Sequence, residues 1–193
     1  MVIKHNNLVI RDATALDAHI LCKWWNDGKV MAHAGFPNGL GTTEDEIIKQ
    51  LSNDNDEIHR RLIIEHACIP IGEMNYRNKG NETAEIGIKI CDFSKQEKGY
   101  GTKLLSMLIN SLFTDMGYKK IILDTNVKNT RAQHVYEKLG FKKLRVNENA
   151  WKDQLGEYQT SIDYELNKVD FKKKIFKCII FKIKLIQDHL KII

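Results

Sequence analysis

The chain has 193 residues, of which 42% are apolar and 28% charged, and its formal net charge is +5. These values are ordinary for one globular domain with its own core, and they exclude collagen-like and low-complexity architectures. No apolar run reaches the length of a membrane span, and the first residues lack the apolar core of a signal peptide, so we expect a cytoplasmic protein. The four cysteines form no CxxC pair, which disfavours a zinc site and a disulfide framework.

The positive charge is concentrated towards the carboxyl end of the sequence. Residues 168–193 hold eight lysines and two aspartates, a net charge of +6, so residues 1–167 sum to −1. A nucleic-acid-binding domain normally carries its positive charge on the folded body, and we therefore do not expect nucleic acid as a partner. The chain divides into one domain at 1–167 and a basic amphipathic extension at 168–193.

The chain is predicted to begin with a short strand and two helices. The strand covers 8–10, and the helices begin at the capping boxes Thr14–Asp17 and Thr43–Glu46. A loop rich in glycine and proline at 28–41 separates them. The inward face of the first helix is predicted to comprise Leu16, Ile20, Leu21 and Trp24.

An antiparallel meander is predicted next, and helical periodicity returns after it. The meander strands cover 62–64, 69–76 and 84–90. An apolar stripe from Leu104 to Met116 indicates a long helix. The remaining elements are a strand at 121–123, a helix at 130–139 and two closing strands at 141–146 and 157–166, with a polar loop around Trp151. The order β-α-α-β-β-β-α-β-α-β-β indicates one α/β domain.

The segment Gln96–Thr102, with the sequence QEKGYGT, lies between a predicted strand and the long helix. A helix start offers unpaired amides and a partial positive charge, and glycines let the backbone approach a phosphate closely. Leu104 stands where a dinucleotide-binding fingerprint needs its third glycine, and no GK[ST] triplet occurs, so neither a Rossmann site nor a P-loop is indicated. A lone Gly-x-Gly at this place is more often a plain strand-to-helix turn.

A second segment, from Asn129 to Phe141, contains two residues on one helix face. Asn129 follows a strand and precedes a helix, and Tyr136 lies two turns further along. Taken alone, Asn129 is a helix cap and Tyr136 is a half-buried packing residue.

Together the two segments resemble the GCN5-related N-acetyltransferase (GNAT) superfamily. Gln96-x-x-Gly99-x-Gly101 fits that family's [Q/R]-x-x-G-x-[G/A] acetyl-CoA signature. The second conserved stretch of the family is matched by Asn129, Ala132, Tyr136, Lys138, Gly140 and Phe141. The resemblance covers roughly 8–166 and is closest to the branch of the ribosomal-protein alanine acetyltransferases. It implies a mixed, mostly antiparallel central sheet with helices on both faces.

The resemblance implies acetyl-CoA as the acetyl donor, and we expect no metal. The donor's arm would enter where the strands at 84–91 and 119–125 splay apart. Asn129 would hydrogen-bond the arm, and Tyr136 would reach the sulfur. The arm would pair with the backbone of Ile88, Lys89 and Ile90, and the pyrophosphate would lie on the amides of residues 97–102. The signature residues expected to bind the donor are Gln96, Glu97, Lys98, Gly99, Tyr100, Gly101 and Thr102.

The reaction implied by the resemblance is direct attack of a primary amine on the thioester in a ternary complex. The amine must lose a proton first, and a carboxylate is the usual acceptor. Glu85, on the strand lining the notch, is the first candidate base and Glu73 the second. The alternative for Glu85 is a solvated outward residue. Tyr136 would stabilise or protonate the leaving thiolate, and packing alone is its alternative.

The wall for the acceptor is expected from the first two helices and their loop. Trp24, Trp25, His33 and Phe36 are the candidates, because aromatic rings can hold a cationic amine. Core packing is the alternative for the tryptophans. His33 is an alternative base, or simply a solvated loop residue.

Two kinds of function remain open from the sequence. The first is an N-acetyltransferase acting on a small amine or a protein N-terminus, and the second is a non-catalytic module that binds or senses acyl-CoA. The extension mixes lysines with isoleucine and phenylalanine at helical spacing. It suits a docked C-terminal helix, an anionic membrane surface, RNA or a second copy of the chain in a homodimer.

Overall fold

The computed structural model describes residues 1–171, which form one eight-stranded sheet with helices. The strands are β1 Val2–His5, β2 Leu8–Asp12, β3 His59–His66, β4 Ile69–Asn78, β5 Thr83–Ile90, β6 Lys120–Asn126, β7 Lys142–Lys152 and β8 Tyr158–Asn167. Their order across the sheet is β1-β2-β3-β4-β5-β6-β8-β7. All neighbours are antiparallel except β5 and β6, which run parallel. The predicted mixed, mostly antiparallel sheet is confirmed.

Helices pack on both faces of this sheet. They are α1 Ala18–Trp25, α2 Gly28–Met31, α3 Glu44–Leu51, α4 Tyr100–Thr114 and α5 Thr130–Leu139. Neighbouring residues of a strand point to opposite faces. On β3, Ile63 belongs to the apolar cluster under α1 and α3, whereas Leu62 and Ile64 belong to the cluster under α4 and α5. The prediction of helices on both faces is therefore confirmed.

Both predicted capping boxes form. Thr43 N donates to Glu46 Oε2 at 2.9 Å, and Glu46 N donates back to Thr43 Oγ1 at 3.3 Å. At the earlier box, Thr14 donates its backbone N–H and its hydroxyl to Asp17 Oδ2 at 2.8 and 3.0 Å. Burial acts to raise the pKa of Asp17, but hydrogen bonds from Arg11 and Thr14 outweigh it and lower that pKa. The charged form of Asp17 is thus fixed at the start of the helical region.

Leu16 differs most clearly from its predicted position, since it is 85% exposed. The box at Thr14 opens a single 3-10 turn, Ala15–Asp17, and α1 begins only at Ala18, so the helical phase shifts. The buried residues of α1 are Ala18, Leu21, Trp24 and Trp25. The prediction for Leu21 and Trp24 is confirmed, and that for Leu16 is wrong.

Three other elements extend the predicted pattern. The edge strand β1 pairs with β2 and is not predicted from the sequence. The short helix α2 lies inside the glycine- and proline-rich stretch at 28–41. The prediction of a polar loop around Trp151 is wrong, because β7 continues to Lys152 and stays paired with β8 through two register shifts. Irregular pairing of this kind erases the strict alternation by which a strand is recognised.

The described chain ends shortly after the extension predicted at 168–193 begins. Phe171 packs against Phe113 of α4, with ring centroids 5.7 Å apart. Residues 172–193 lie outside the described residues, and so do the predicted membrane, RNA and dimer contacts of the extension. Within residues 1–171, every helix is too short or too polar to cross a membrane.

Leu108→Ala should lower the free energy of unfolding by about 2–5 kcal/mol, because removing a buried leucine side chain loses apolar burial and leaves a cavity. Leu108 is fully buried in α4, at 0% exposure. Leu16→Ala makes the same change at an exposed site and should alter stability by less than about 0.5 kcal/mol. Urea unfolding followed by circular dichroism measures both. Similar losses in the two variants would mean that the helical phase near Leu16 is wrong.

Candidate functional site

β5 and β6 separate from each other partway along their length. Their parallel pairing joins Thr83–Glu85 to Lys120–Ile122 and goes no further within the described chain. Beyond that point β5 stays paired with β4, and β6 with β8. The stretches Ile86–Ile90 and Leu123–Asn126 therefore border an open split, and the backbone at 88–90 lies along it. The expected splaying is present, and it leaves backbone groups available to an extended ligand.

The loop between β5 and α4 lies at the open end of this split. Gln96 ties it there, because its Nε2 donates to Ile90 O at 2.8 Å. Gly99 is the N-cap of α4 with φ of +76°, a conformation that favours glycine. A Cβ at Gly99 would meet no atom within 4 Å, and one at Gly101 would meet only Ile90 Cδ1, at 3.8 Å. The space beside these two glycines is thus open at the start of α4, and because the first amides of a helix lack partners within the helix, this place suits an anion.

The other side chains of this loop point to different neighbours. Tyr100 Oη lies 3.1 Å from His66 Nε2 on β3. Glu97 Oε1 lies 3.0 Å from a guanidinium nitrogen of Arg131 on α5. Lys98 is exposed and Thr102 is half-buried. The structure thus gathers the predicted signature residues around the start of α4, with one acidic side chain among them.

Asn129 lies at the start of α5, on the opposite side of the split from the loop. Its Oδ1 accepts a hydrogen bond from Ala132 N at 3.2 Å, which confirms its interpretation as a helix cap. Asn126, just before it, is buried and donates to Gln159 Oε1 at 3.0 Å. These contacts fix the end of β6 against β8. The predicted bond from Asn129 to the arm of the donor stays a prediction.

Tyr136 lies on α5 with its ring in the core. The ring centroid is 5.6 Å from that of Tyr164 and 5.8 Å from that of Phe141. Burial raises the pKa of Tyr136, and the negative charge of Asp124 raises it further. The phenol is therefore held in its neutral form, in which it is a hydrogen-bond donor.

Two carboxylates, Glu85 and Asp124, lie on the sheet face opposite to α4 and α5. Leu123 belongs to the cluster under those helices, so its neighbour Asp124 points the other way. Glu85 is in the paired end of β5, with its carboxylate 3.6 Å from Lys79 Nζ. Asp124 lies beyond the pairing, beside the open split. Asp124 is an exposed residue, but its carboxyl group is partly desolvated by the surrounding protein, which raises its pKa, and the charges of Glu85 and Asp163 raise it further.

Glu73 is held between two donors beneath α1. Trp25 Nε1 and Lys89 Nζ each lie 2.9 Å from Glu73 Oε1. The Arg61 guanidinium lies over the Trp25 ring, 5.6 Å from its centroid. Trp24 and Trp25 are only 7% and 8% exposed, so both rings are largely enclosed by the protein. Their predicted contact with an acceptor stays a prediction, and the contacts present join α1 to β4 and β5.

The segment that carries His33 and Phe36 is fixed to the turn between β7 and β8 by Gln154. Gln154 N donates to Gly35 O at 2.8 Å, and its Nε2 donates to Gly39 O at 2.9 Å. The side-chain oxygen accepts from the backbone N–H of residue 38 at 2.9 Å. Both His33 and Phe36 are exposed. This segment is therefore fixed in place on the same sheet face as the two carboxylates.

Within residues 1–171, no group of three or more acidic, histidine or cysteine side chains could hold a metal ion.

Comparison with known sequences identifies one protein family. The family model for the acetyltransferase (GNAT) domain matches residues 7–142. An uncharacterised N-acetyltransferase of Bacillus subtilis (strain 168) is 26% identical over 175 residues, which cover 86% of this chain and 100% of that protein. A spermidine N(1)-acetyltransferase of Vibrio cholerae is 31% identical over 103 residues, which cover 50% of this chain and 56% of that protein.

Solved structures share the fold. The spermidine N-acetyltransferase from Vibrio cholerae in complex with CoA and spermine has a TM-score of 0.77 and 23% identity, and the match covers 86% of this chain and 99% of that one. A ribosomal L7/L12 alpha-N-protein acetyltransferase in complex with CoA has a TM-score of 0.77 and 17% identity, and the match covers 86% and 98% of the two chains. At these identities the likeness concerns the fold.

Proposed function

The chain belongs to the GNAT acetyltransferase family, and from that membership we propose that it transfers an acetyl group from acetyl-CoA directly to a primary amine. The observation that carries the proposal is the split between β5 and β6, with a glycine-containing helix start at its open end. Related structures contain CoA, which supports the donor. The acceptor is a small amine or a protein N-terminus, since relatives named for spermidine and for a ribosomal protein both share the fold.

The donor would be bound by backbone groups on both sides of the split. Residues 88–90 would pair with its extended arm as a neighbouring strand does. The amides at 97–102 would hold its diphosphate, because the start of α4 combines unpaired N–H groups with a positive dipole end. Open space above Gly99 supports this assignment, since a diphosphate needs close access to the backbone.

Asp124 is our proposed acceptor for the proton of the amine. It borders the open split, whereas Glu85 lies where the strands are still paired and has Lys79 as a neighbour. Glu73 Oε1 is already engaged by Trp25 and Lys89. A raised pKa makes the Asp124 carboxylate a better proton acceptor, because basicity increases with the pKa of the conjugate acid.

Tyr136 would donate a hydrogen bond to the departing sulfur. The amine nitrogen forms the new C–N bond, the C–S bond breaks, and the sulfur leaves with the electron pair. A thiol has a pKa of about 8.5 and an ordinary phenol about 10, so full proton transfer from Tyr136 would be uphill. Hydrogen bonding suffices, with the thiolate taking its proton from solvent and Asp124 passing the amine proton to solvent.

Tyr136→Phe should lower turnover about 10- to 100-fold while leaving acetyl-CoA affinity nearly unchanged, because it removes only the donor to the leaving sulfur. Thiol release is measured with purified protein, acetyl-CoA and a panel of amines, and Tyr158→Phe is the control because Tyr158 is an exposed residue of β8.

In the wild-type protein, the raised pKa of the Tyr136 phenol predicts no loss of turnover with rising pH below about pH 10. Acetyl-CoA binding without amine-dependent release would instead indicate a non-catalytic module, and unchanged turnover in the variant would remove the role of Tyr136.

Gly99→Val should weaken acetyl-CoA binding at least about tenfold, because its side chain would fill the space proposed for the diphosphate. Gly80→Val is the matched control, since Gly80 has φ of +75°, against +76° for Gly99, and equally open surroundings. Both variants carry the same backbone penalty, and only the first should lose the donor. Isothermal titration calorimetry measures the affinities. Unchanged affinity in the Gly99 variant contradicts the diphosphate assignment.

Asp124→Asn should lower turnover about a hundredfold, and Glu85→Gln should have a much smaller effect, because only the first removes the proposed proton acceptor. Because the pKa of Asp124 is raised, wild-type turnover should fall with decreasing pH through a midpoint above the ordinary aspartate value of about 3.9. That acidic limb should disappear in the Asn variant. The pH dependence of kcat under saturating substrates measures it, and the reverse ranking of the two variants would assign the base to Glu85.

A further inference from the structure

Arg131 links the two helix starts at the open end of the split. It lies in the first turn of α5, and its guanidinium donates to Gln96 Oε1 at 2.6 Å. A second guanidinium nitrogen lies 3.0 Å from Glu97 Oε1. Gln96 is in turn bonded to Ile90 O at the end of β5. The positive charge is thus held directly beside the loop at the start of α4.

Glu97 places a negative charge in a loop that is otherwise suited to an anion. Its backbone has φ of +59°. Lys95, Lys98 and Lys103 are close to it in sequence, around the start of α4. A carboxylate there repels a phosphate, and pairing with Arg131 offsets that charge. We propose, on the basis of the proposed function, that Arg131 is a binding residue for the diphosphate of CoA and exchanges Glu97 and Gln96 for phosphate oxygens.

The exchange is favoured by the exposure of the pair. The side chains of Arg131 and Glu97 are 59% and 74% exposed, so solvent screens their attraction and the ion pair is weak. A diphosphate carries more charge than one carboxylate, and the planar guanidinium fork matches two of its oxygens at once. The guanidinium already lies within bonding distance of the loop, so a change of side-chain rotamer is enough for it to reach a bound phosphate.

Donors with and without phosphate groups test this role. Arg131→Gln should weaken CoA and dephospho-CoA binding about tenfold, because both carry the diphosphate. Transfer from acetyl-pantetheine, which has no phosphate, should be unchanged. Arg131→Lys should fall between wild type and the Gln variant. Lys119→Gln is the control, since it removes an exposed ion pair with Glu82 at the closed end of the split and should not affect any donor.

Three results would overturn the assignment. An equal loss with acetyl-pantetheine would mean that Arg131 only shapes α5. A loss restricted to CoA, with dephospho-CoA unaffected, would move the contact from the diphosphate to the 3′-phosphate. Full recovery of CoA affinity in the double variant Arg131→Gln/Glu97→Gln would mean that Arg131 merely neutralises Glu97.

The proposed function fails on a different observation. Wild-type protein that releases no thiol from either acetyl donor, with any amine, contradicts acetyl transfer itself. Wild-type transfer together with an Arg131→Gln variant that binds CoA normally contradicts only the role of Arg131. The double variant should retain the weakened CoA affinity if Arg131 contacts the diphosphate directly.

Discussion

The site depends on the short parallel ladder between β5 and β6. Three residue pairs hold these strands together, and each strand then follows its antiparallel neighbour on the other side. A sheet that opens in this way leaves N–H and C=O groups without a strand partner, and burying such groups unpaired is unfavourable. Water or an extended ligand must satisfy them. The open ladder therefore creates a groove with the hydrogen-bonding pattern of a missing strand.

Both faces of the sheet contribute to this groove because each is held by its own core. The cluster under α4 and α5 positions the two helix starts at the open end, while the cluster under α1 and α3 supports the opposite face. Side chains complete the arrangement. Gln96 fixes the loop of α4 to β5, and Gln154 fixes the loop after α2 to the β7–β8 turn. The groove thus has a backbone-lined floor and two separately supported walls.

The sequence predicts the parts of this structure that repeat a local pattern. Strand alternation, the stripe of α4 and the two capping boxes each involve residues close in the chain, and all are found. The predicted inward position of Leu16 is wrong because a single 3-10 turn shifts the phase of the helix that follows. The sequence does not point to Asp124 as a candidate base, because it directly follows the apolar run Ile121–Leu123. Which residues of that strand face the core depends on the helices that cover β6.

The contacts that distinguish the candidate bases also cannot be predicted from the sequence, because they depend on the register between strands. Glu85 is close to Lys79 only after the β4–β5 turn forms, and Glu73 meets Lys89 because their positions on β4 and β5 are paired. The net charge of −1 for residues 1–167 likewise does not show that positive and negative side chains lie in different parts of the fold. Lysines and Arg131 surround the helix start at the open end, whereas Asp124 and other carboxylates lie on the opposite sheet face. Under the proposed function, this arrangement places positive charge near an anionic donor and the Asp124 carboxylate near an amine acceptor.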